Sequence, residues 1–148
     1  MKIAEVMTRD VRVIDPDRSV RDAARTMDEM NVGVLPVCDG RRLVGMITDR
    51  DIAVRGIAQG KGPDTPVREV MTDDVKYCFE DDDTDDVARN MADIQVRRLP
   101  VLTRDKRLVG IISLGDLAVT DEARRAGEAV AGISQPGGQH SQTGGPRT

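Results

Sequence analysis

The chain of 148 residues has no tryptophan, one tyrosine (Tyr77), one phenylalanine (Phe79) and one histidine (His140). An aromatic core is excluded, so valine, isoleucine, leucine, methionine and alanine must do the packing. The single histidine stands in a tail rich in Gly, Ser, Gln and Thr, which leaves no participant for a histidine-based triad or general base. Ligand sets with the spacing of a tetrahedral metal site are missing too. Cysteine is scarce: Cys38 and Cys78 lie far apart and form no CxxC pair. In a reducing compartment they read as small apolar residues, whereas a redox-responsive bridge would need their two strands to be neighbours. Long apolar runs are absent, and Met1-Lys-Ile-Ala-Glu-Val carries no apolar signal core. A cytoplasmic location without membrane contact is expected. The net charge of -4, with 32% charged residues of both signs interleaved, argues against a nucleic-acid partner held through its phosphates.

What the chain does have is a repeat. Val6-Met-Thr, Leu35-Pro-Val and Arg42-Leu-Val-Gly-Met-Ile-Thr-x-x-Asp51 return as Val70-Met-Thr, Leu99-Pro-Val and Arg107-Leu-Val-Gly-Ile-Ile-Ser-x-x-Asp116, with one residue inserted in a turn. Duplication of this kind predicts two related α/β (α+β) halves packed about a pseudo-twofold axis. Each half is too short for a secure core of its own, so pairing is expected to supply stability. The repeats are assigned to 1–60 and 67–122, with a linker at 61–66 and a helix end plus disordered tail over 123–148.

Each copy reads as a lead-in turn, a strand, a helix, a hairpin and a second helix. In the first copy the lead-in is Ile3 to Met7 and the strand Val11 to Ile14. Ser19 and Asp22 form a capping-box pattern, and Val20, Ala23, Ala24, Met27 and Met30 follow at helical spacing. Thr84, Val87, Ala88, Met91 and Ile94 repeat that stripe. Val34–Cys38 and Leu43–Thr48 flank the turn pair Asp39-Gly40, and Leu99–Leu102 and Leu108–Ser113 flank Thr103-Arg-Asp-Lys106. Second helices are expected over 49–58 and from Leu114.

Chemistry concentrates at the strand-to-helix junctions Thr48-Asp-Arg-Asp51 and Ser113-Leu-Gly-Asp116. A hydroxyl followed three residues later by an acid is a capping box that satisfies helix-start amides. The same pair can also serve a ligand: the helix start attracts phosphate, the carboxylate accepts from a ribose diol, and the hydroxyl donates. Six acids between Glu80 and Asp86 read either as a solvated helix start or as a weak divalent-cation site.

The segments Leu35-Pro-Val-Cys-Asp-Gly-Arg-Arg-Leu-Val-Gly-Met-Ile-Thr-Asp-Arg-Asp51 and Arg97-Arg-Leu-Pro-Val to Asp116 resemble the signature of the CBS domain, named after cystathionine β-synthase. The likeness covers residues 1–122, and the chain resembles small stand-alone bacterial pairs. It implies tandem βαββα repeats, a homodimer, and clefts between the copies that take AMP, ADP, ATP or S-adenosylmethionine. By that resemblance Asp51 and Asp116 would hold ribose hydroxyls, Thr48 and Ser113 would sit near ribose or phosphate, and Met46 and Ile111 would pack on the base. Arg97 and Arg98, which replace Gly33 and Val34, would clamp a phosphate. The Ser113/Asp116 pocket would then be the better phosphate site, the other binding weakly or borrowing Arg50 or Arg55. No cofactor is required and no enzyme is expected. The reading is an adenosyl-sensing regulatory module with an unknown protein target. The alternative is a ligand-independent interaction or stress protein whose junctions are only helix caps.

Overall fold

The computed structural model describes residues 1–118. His140 and the tail expected to be disordered lie outside them. The chain divides into two compact units. One contains Val11–Lys76 and Lys106–Leu108; the other contains Met1–Asp10, Tyr77–Asp105 and, among the described residues, 109–118. Both are mixed helix-and-strand bodies, and they are named here by their long helices, α1 (Val20–Met30) and α3 (Thr84–Ile94).

In the α1 unit, α1 begins where the Ser19 hydroxyl accepts from the Asp22 N–H, and it ends at Asn31 in the left-handed conformation (φ 54°). Only half of the expected box forms: the Asp22 carboxylate turns to Arg18 (2.9 Å), which holds it below the usual carboxylate range. The apolar stripe is narrower than expected. Val20, Ala23 and Met27 are buried, whereas Ala24 and Met30 face solvent because they lie off the i, i+3, i+7 line that meets the sheet. Strands β1 (Val34–Asp39) and β2 (Arg42–Thr48) pair antiparallel through Leu35↔Ile47, with Gly40 supplying a positive φ at the turn. A helical run follows: α2 (Asp49–Asp51), a π turn over Ile52–Gly56 and a 3-10 turn over Ile57–Gln59.

The strand expected at Val11–Ile14 is not a strand. Only Ile14 bridges Val37, in parallel. The matching segment of the α3 unit, β3 (Cys78–Phe79), pairs in parallel with Val101 and Leu102 of β4 (Arg98–Leu102). There the ladder gains a bond from the Glu80 N–H to the Leu102 carbonyl (2.9 Å). The residue standing in Glu80's place in the first copy is Pro16, which has no N–H to donate. Cys78 occupies the place of Ile14, and both are buried, so the thiol does the work of an aliphatic side chain.

The α3 unit continues with β5 (Leu108–Ser113) in the sheet order β3-β4-β5, then α4 (Leu114–Ala118). Asp83 caps α3 by accepting from the Asp85 N–H. Thr84, fully buried where α1 has Val20, has a hydroxyl without a hydrogen-bond partner.

The lead-in segments exchange between the sequence repeats. Ile3 and Met7 pack in the core of the α3 unit, with Val87, Met91, Leu99 and Ile112. Val67 and Val70 pack in the core of the α1 unit, with Met27, Leu35, Val37 and Ile47. The hydrogen bonds repeat the exchange: Ile3 N–H reaches the Asp82 carbonyl and Val67 N–H the Arg18 carbonyl. Each core therefore closes only with residues from both repeats, which is the physical form of the mutual dependence expected from their shortness. No helix among the described residues is long and apolar enough to cross a membrane.

Candidate functional site

Both strand-to-helix junctions fold into closed capping boxes. At the end of β2 the Asp51 N–H donates to Thr48 Oγ1 (2.9 Å) and the Thr48 N–H donates to Asp51 Oδ2 (3.0 Å). At the end of β5 the Asp116 N–H donates to Ser113 Oγ (3.1 Å) and the Ser113 N–H to Asp116 Oδ2 (3.0 Å). The box satisfies helix-start amides and also fixes the carboxylate. It consumes one carboxylate oxygen and leaves Oδ1 outside the reciprocal pair. A capping role for these residues is therefore compatible with the ligand role expected of them. Neither displaces the other.

The lead-in segments run directly beside the junctions. Met46, two residues before Thr48, exchanges both backbone hydrogen bonds with Thr72 (2.8 Å each), and Ile111, two before Ser113, exchanges both with Thr8 (2.9 Å each). Met46 and Ile111 are half-buried, so each keeps an accessible apolar side chain next to a box. This close pairing explains the Leu-Val-Gly triplet. A Cβ on Gly45 would stand 2.8 Å from the Thr72 carbonyl oxygen and a Cβ on Gly110 2.7 Å from that of Thr8. Thr8 and Thr72 were not among the sequence candidates, although Met-Thr recurs in both lead-ins; the repeat itself carried the signal.

The two sites differ in charge. Arg97 is half-buried beside the Ser113–Asp116 box, and its carbonyl accepts from the Leu114 N–H (3.1 Å); Arg98 opens β4 and is exposed. In the other copy the equivalent bond joins Asp49 N–H to the Gly33 carbonyl (3.0 Å), and a Cβ on Gly33 would lie 3.0 Å from Asp49 Oδ2. A carboxylate thus sits over Gly33, and Leu114 replaces that carboxylate where Arg97 replaces the glycine. Arg55 approaches Asp51 instead, with Nη1 4.0 Å from Oδ1 and donating to the Met71 carbonyl (3.0 Å) and Thr72 Oγ1 (3.3 Å). Among the described residues Arg50 contributes its backbone N–H, to Asp49 Oδ1 (2.8 Å). A concavity of about 470 Å³ opens in the α1 unit between Ala24, Met27, Asp28, Asn31, Asp49 and Ile52. Thr48 and Asp51 do not line it.

The remaining candidates are structural. Burial pushes the Cys38 thiol up to about 11 and the Cys78 thiol up to about 12, so neither is a ready nucleophile at neutral pH. In the acidic run, Asp83 caps α3 and Asp81 pairs with Arg104 (2.8 Å), whose guanidinium lies over the Phe79 ring. That arginine holds the Asp81 carboxyl below its usual range. Among the described residues no three His, Cys, Asp or Glu side chains gather as a metal site.

The CBS domain family profile matches residues 3–55 and again 67–120. The chain is 41% identical over 133 residues to the CBS domain-containing protein YhcV of Bacillus subtilis, covering 89% of this chain and 94% of that one. Among solved structures it is similar to CBSX2 in complex with AMP, at 29% identity and a TM-score of 0.69 over 79% of this chain and 93% of that one. It is likewise similar to the CBS domain pair of MJ0100 in complex with 5-methylthioadenosine and S-adenosyl-L-methionine, at 29% identity and a TM-score of 0.67 over 80% and 93%.

Proposed function

The chain belongs to the CBS domain family, and from that premise we propose that it is a regulatory module that binds an adenosine derivative at its two hydroxyl-x-x-Asp junctions. The observation that carries the reading is the division of labour within each carboxylate. Oδ2 of Asp51 and of Asp116 is engaged by the box, which locks the rotamer and leaves Oδ1 to accept from a ribose diol. Met46 and Ile111 supply apolar surface for a base, and Thr72 and Thr8 pair their backbone with these two residues from the opposite repeat. The complexes of CBSX2 with AMP and of MJ0100 with two adenosyl compounds support this ligand class.

Ligand chemistry at such a site would bind rather than transform. No nucleophile and base stand together among the candidates, and the one residue type suited to general-base work at neutral pH is confined to His140. Each junction combines a lead-in from one repeat with a hairpin from the other. A ligand held there ties the two repeats together and so biases any conformational equilibrium of the pair toward the bound form. Regulation is then output to a protein target, with a homodimer as the working assembly.

The closed boxes equally favour a second reading, in which the junctions are caps and the protein acts through contacts alone. One experiment separates the two. The chain has one tyrosine and no tryptophan, so it absorbs weakly at 280 nm and a co-purifying nucleotide would dominate its ultraviolet spectrum. Thermal melts of the full chain with AMP, ATP and S-adenosylmethionine follow directly. At a ligand concentration a hundredfold above Kd, the bound state gains about 2.7 kcal/mol and the melt shifts upward. An unchanged melt with all three would remove the ligand reading and leave the contact reading.

A further inference from the structure

We propose that Arg41, Arg42, Lys106 and Arg107 form a docking surface for an acidic segment of a partner protein. All four belong to the α1 unit, in which Lys106–Leu108 joins the first hairpin, and all four are exposed. The proposal goes beyond the adenosyl reading and holds whether or not the junctions take a ligand.

The fold, rather than the sequence, brings these residues together. Arg42 opens β2 and faces Arg107 in an antiparallel bridge. Beside that pair the Leu108 N–H donates to the Arg41 carbonyl (2.9 Å). Arg42 and Arg107 are therefore a non-hydrogen-bonded pair, the kind in which facing side chains come closest. Arg41 and Lys106 each precede one of them. Two basic dipeptides thus meet in a chain whose net charge is -4.

Fold stability does not account for this arrangement. Like charges directly opposite on neighbouring strands repel and weaken the pairing. Asp39 is the register partner of Arg42 in the first hairpin, yet the two form no ion pair. Among the described residues the side chains of Arg41 and Arg42 make no hydrogen bond or ion pair at all. Lys106 adds a second cost. It stands at φ 66°, a left-handed conformation that the first hairpin turn gives to Gly40 (φ 64°). Positive charge gathered against repulsion and against backbone preference finds its counter-charge outside the chain.

The counter-charge that fits is a set of protein carboxylates. Arginine presents planar donor forks that match carboxylates, and it is enriched at protein interfaces. A nucleic-acid duplex or an anionic bilayer presents uniform negative charge over a wide area, which the rest of this acidic chain repels. Asp39, in register with Arg42, sets an acid within the surface. A protein partner that carries both signs can match that mixed pattern, whereas an array of phosphates cannot.

The test uses the full chain and a fluorescein-labelled peptide of alternating Glu and Ala, followed by fluorescence anisotropy at low salt. The expected result is saturable binding that weakens as salt is added and falls about tenfold in Arg42→Glu. Arg42→Lys, which keeps the charge without the fork, should lose less. Binding that is absent, or that survives Arg41→Glu combined with Arg42→Glu, would overturn the proposal. So would tighter binding of duplex DNA or of phosphatidylserine vesicles than of the peptide. Urea denaturation of Arg42→Gln guards against a folding defect and separates docking from a structural role. Relief of the repulsion predicts an unchanged or raised midpoint together with weakened peptide binding. A lowered midpoint would show that the fold itself needs Arg42, and would also overturn the proposal.

Discussion

The Thr48–Asp51 and Ser113–Asp116 junctions are built to one plan and charged to two. Both are closed boxes with carboxylate bonds of 3.0 Å, both pair with a Met-Thr lead-in, and both need glycine where that lead-in crosses. They part at the flanks. One has Asp49 over Gly33 and Arg55 beside Asp51; the other has Arg97 and Leu114 in place of Gly33 and Asp49. What the copies share is the capping box, the lead-in crossing and the glycine beneath it. What they do not share is available to set ligand preference, and the difference locates specificity in a few charged side chains.

The largest effects should come from the shared scaffold. Replacing Ile3 by Ala, a fully buried residue in the core of the α3 unit, should cost about 2–5 kcal/mol. Val67→Ala should likewise weaken the α1 unit, though by less because fewer atoms are lost. Hydrogen exchange tells the two apart: Ile3→Ala should expose amides of residues 77–117 before those of 11–59. The opposite order would break the exchanged-segment account. Next come Gly45→Ala and Gly110→Ala. Each forces a Cβ against a lead-in carbonyl and should cost about 1–3 kcal/mol in urea denaturation, with similar values for both. A clearly unequal pair would show that the two crossings are not equivalent.

Smaller still are the caps. Thr48→Ala and Ser113→Ala should each lower stability by about 1 kcal/mol, since each removes one side-chain acceptor from a helix start. Smallest is a surface effect in the α3 unit. Arg104 holds the Asp81 carboxyl below the ordinary 3.8, so the folded state favours the charged form. That contribution is present above pH 3.8 and disappears as pH falls through the lowered value. Asp81→Asn should therefore shift the urea midpoint slightly at neutral pH and not at all in strong acid. A shift that grows on acidification would reverse the sign and refute the assignment.

Much of this was legible in the residues. The repeat marked the hairpins, the Leu-Pro-Val strands and the pairing of Thr48 with Asp51 and of Ser113 with Asp116, because each rests on local spacing. Pro16 in the place of Glu80 removes one donor from the first-copy strand, but an apolar run such as Val11 to Ile14 outweighs a missing donor when read locally. The destination of the lead-ins was not legible. Ile3, Met7, Val67 and Val70 announce burial by their chemistry, yet hydrophobicity does not say in which body a segment is buried. Arg55 entered only as one option beside Arg50. Helical spacing brings it toward Asp51, but its anchoring to Met71 and Thr72 depends on a lead-in whose course is tertiary.

The central claim is that the two junctions are ligand sites, each centred on its own aspartate. Calorimetric titration of AMP into the full chain, into Asp51→Ala and into Asp116→Ala tests it most directly. The account predicts two binding events in the unsubstituted chain and the loss of a different one in each variant. Binding that survives both substitutions, or a chain that takes up no AMP, ATP or S-adenosylmethionine at all, would contradict it.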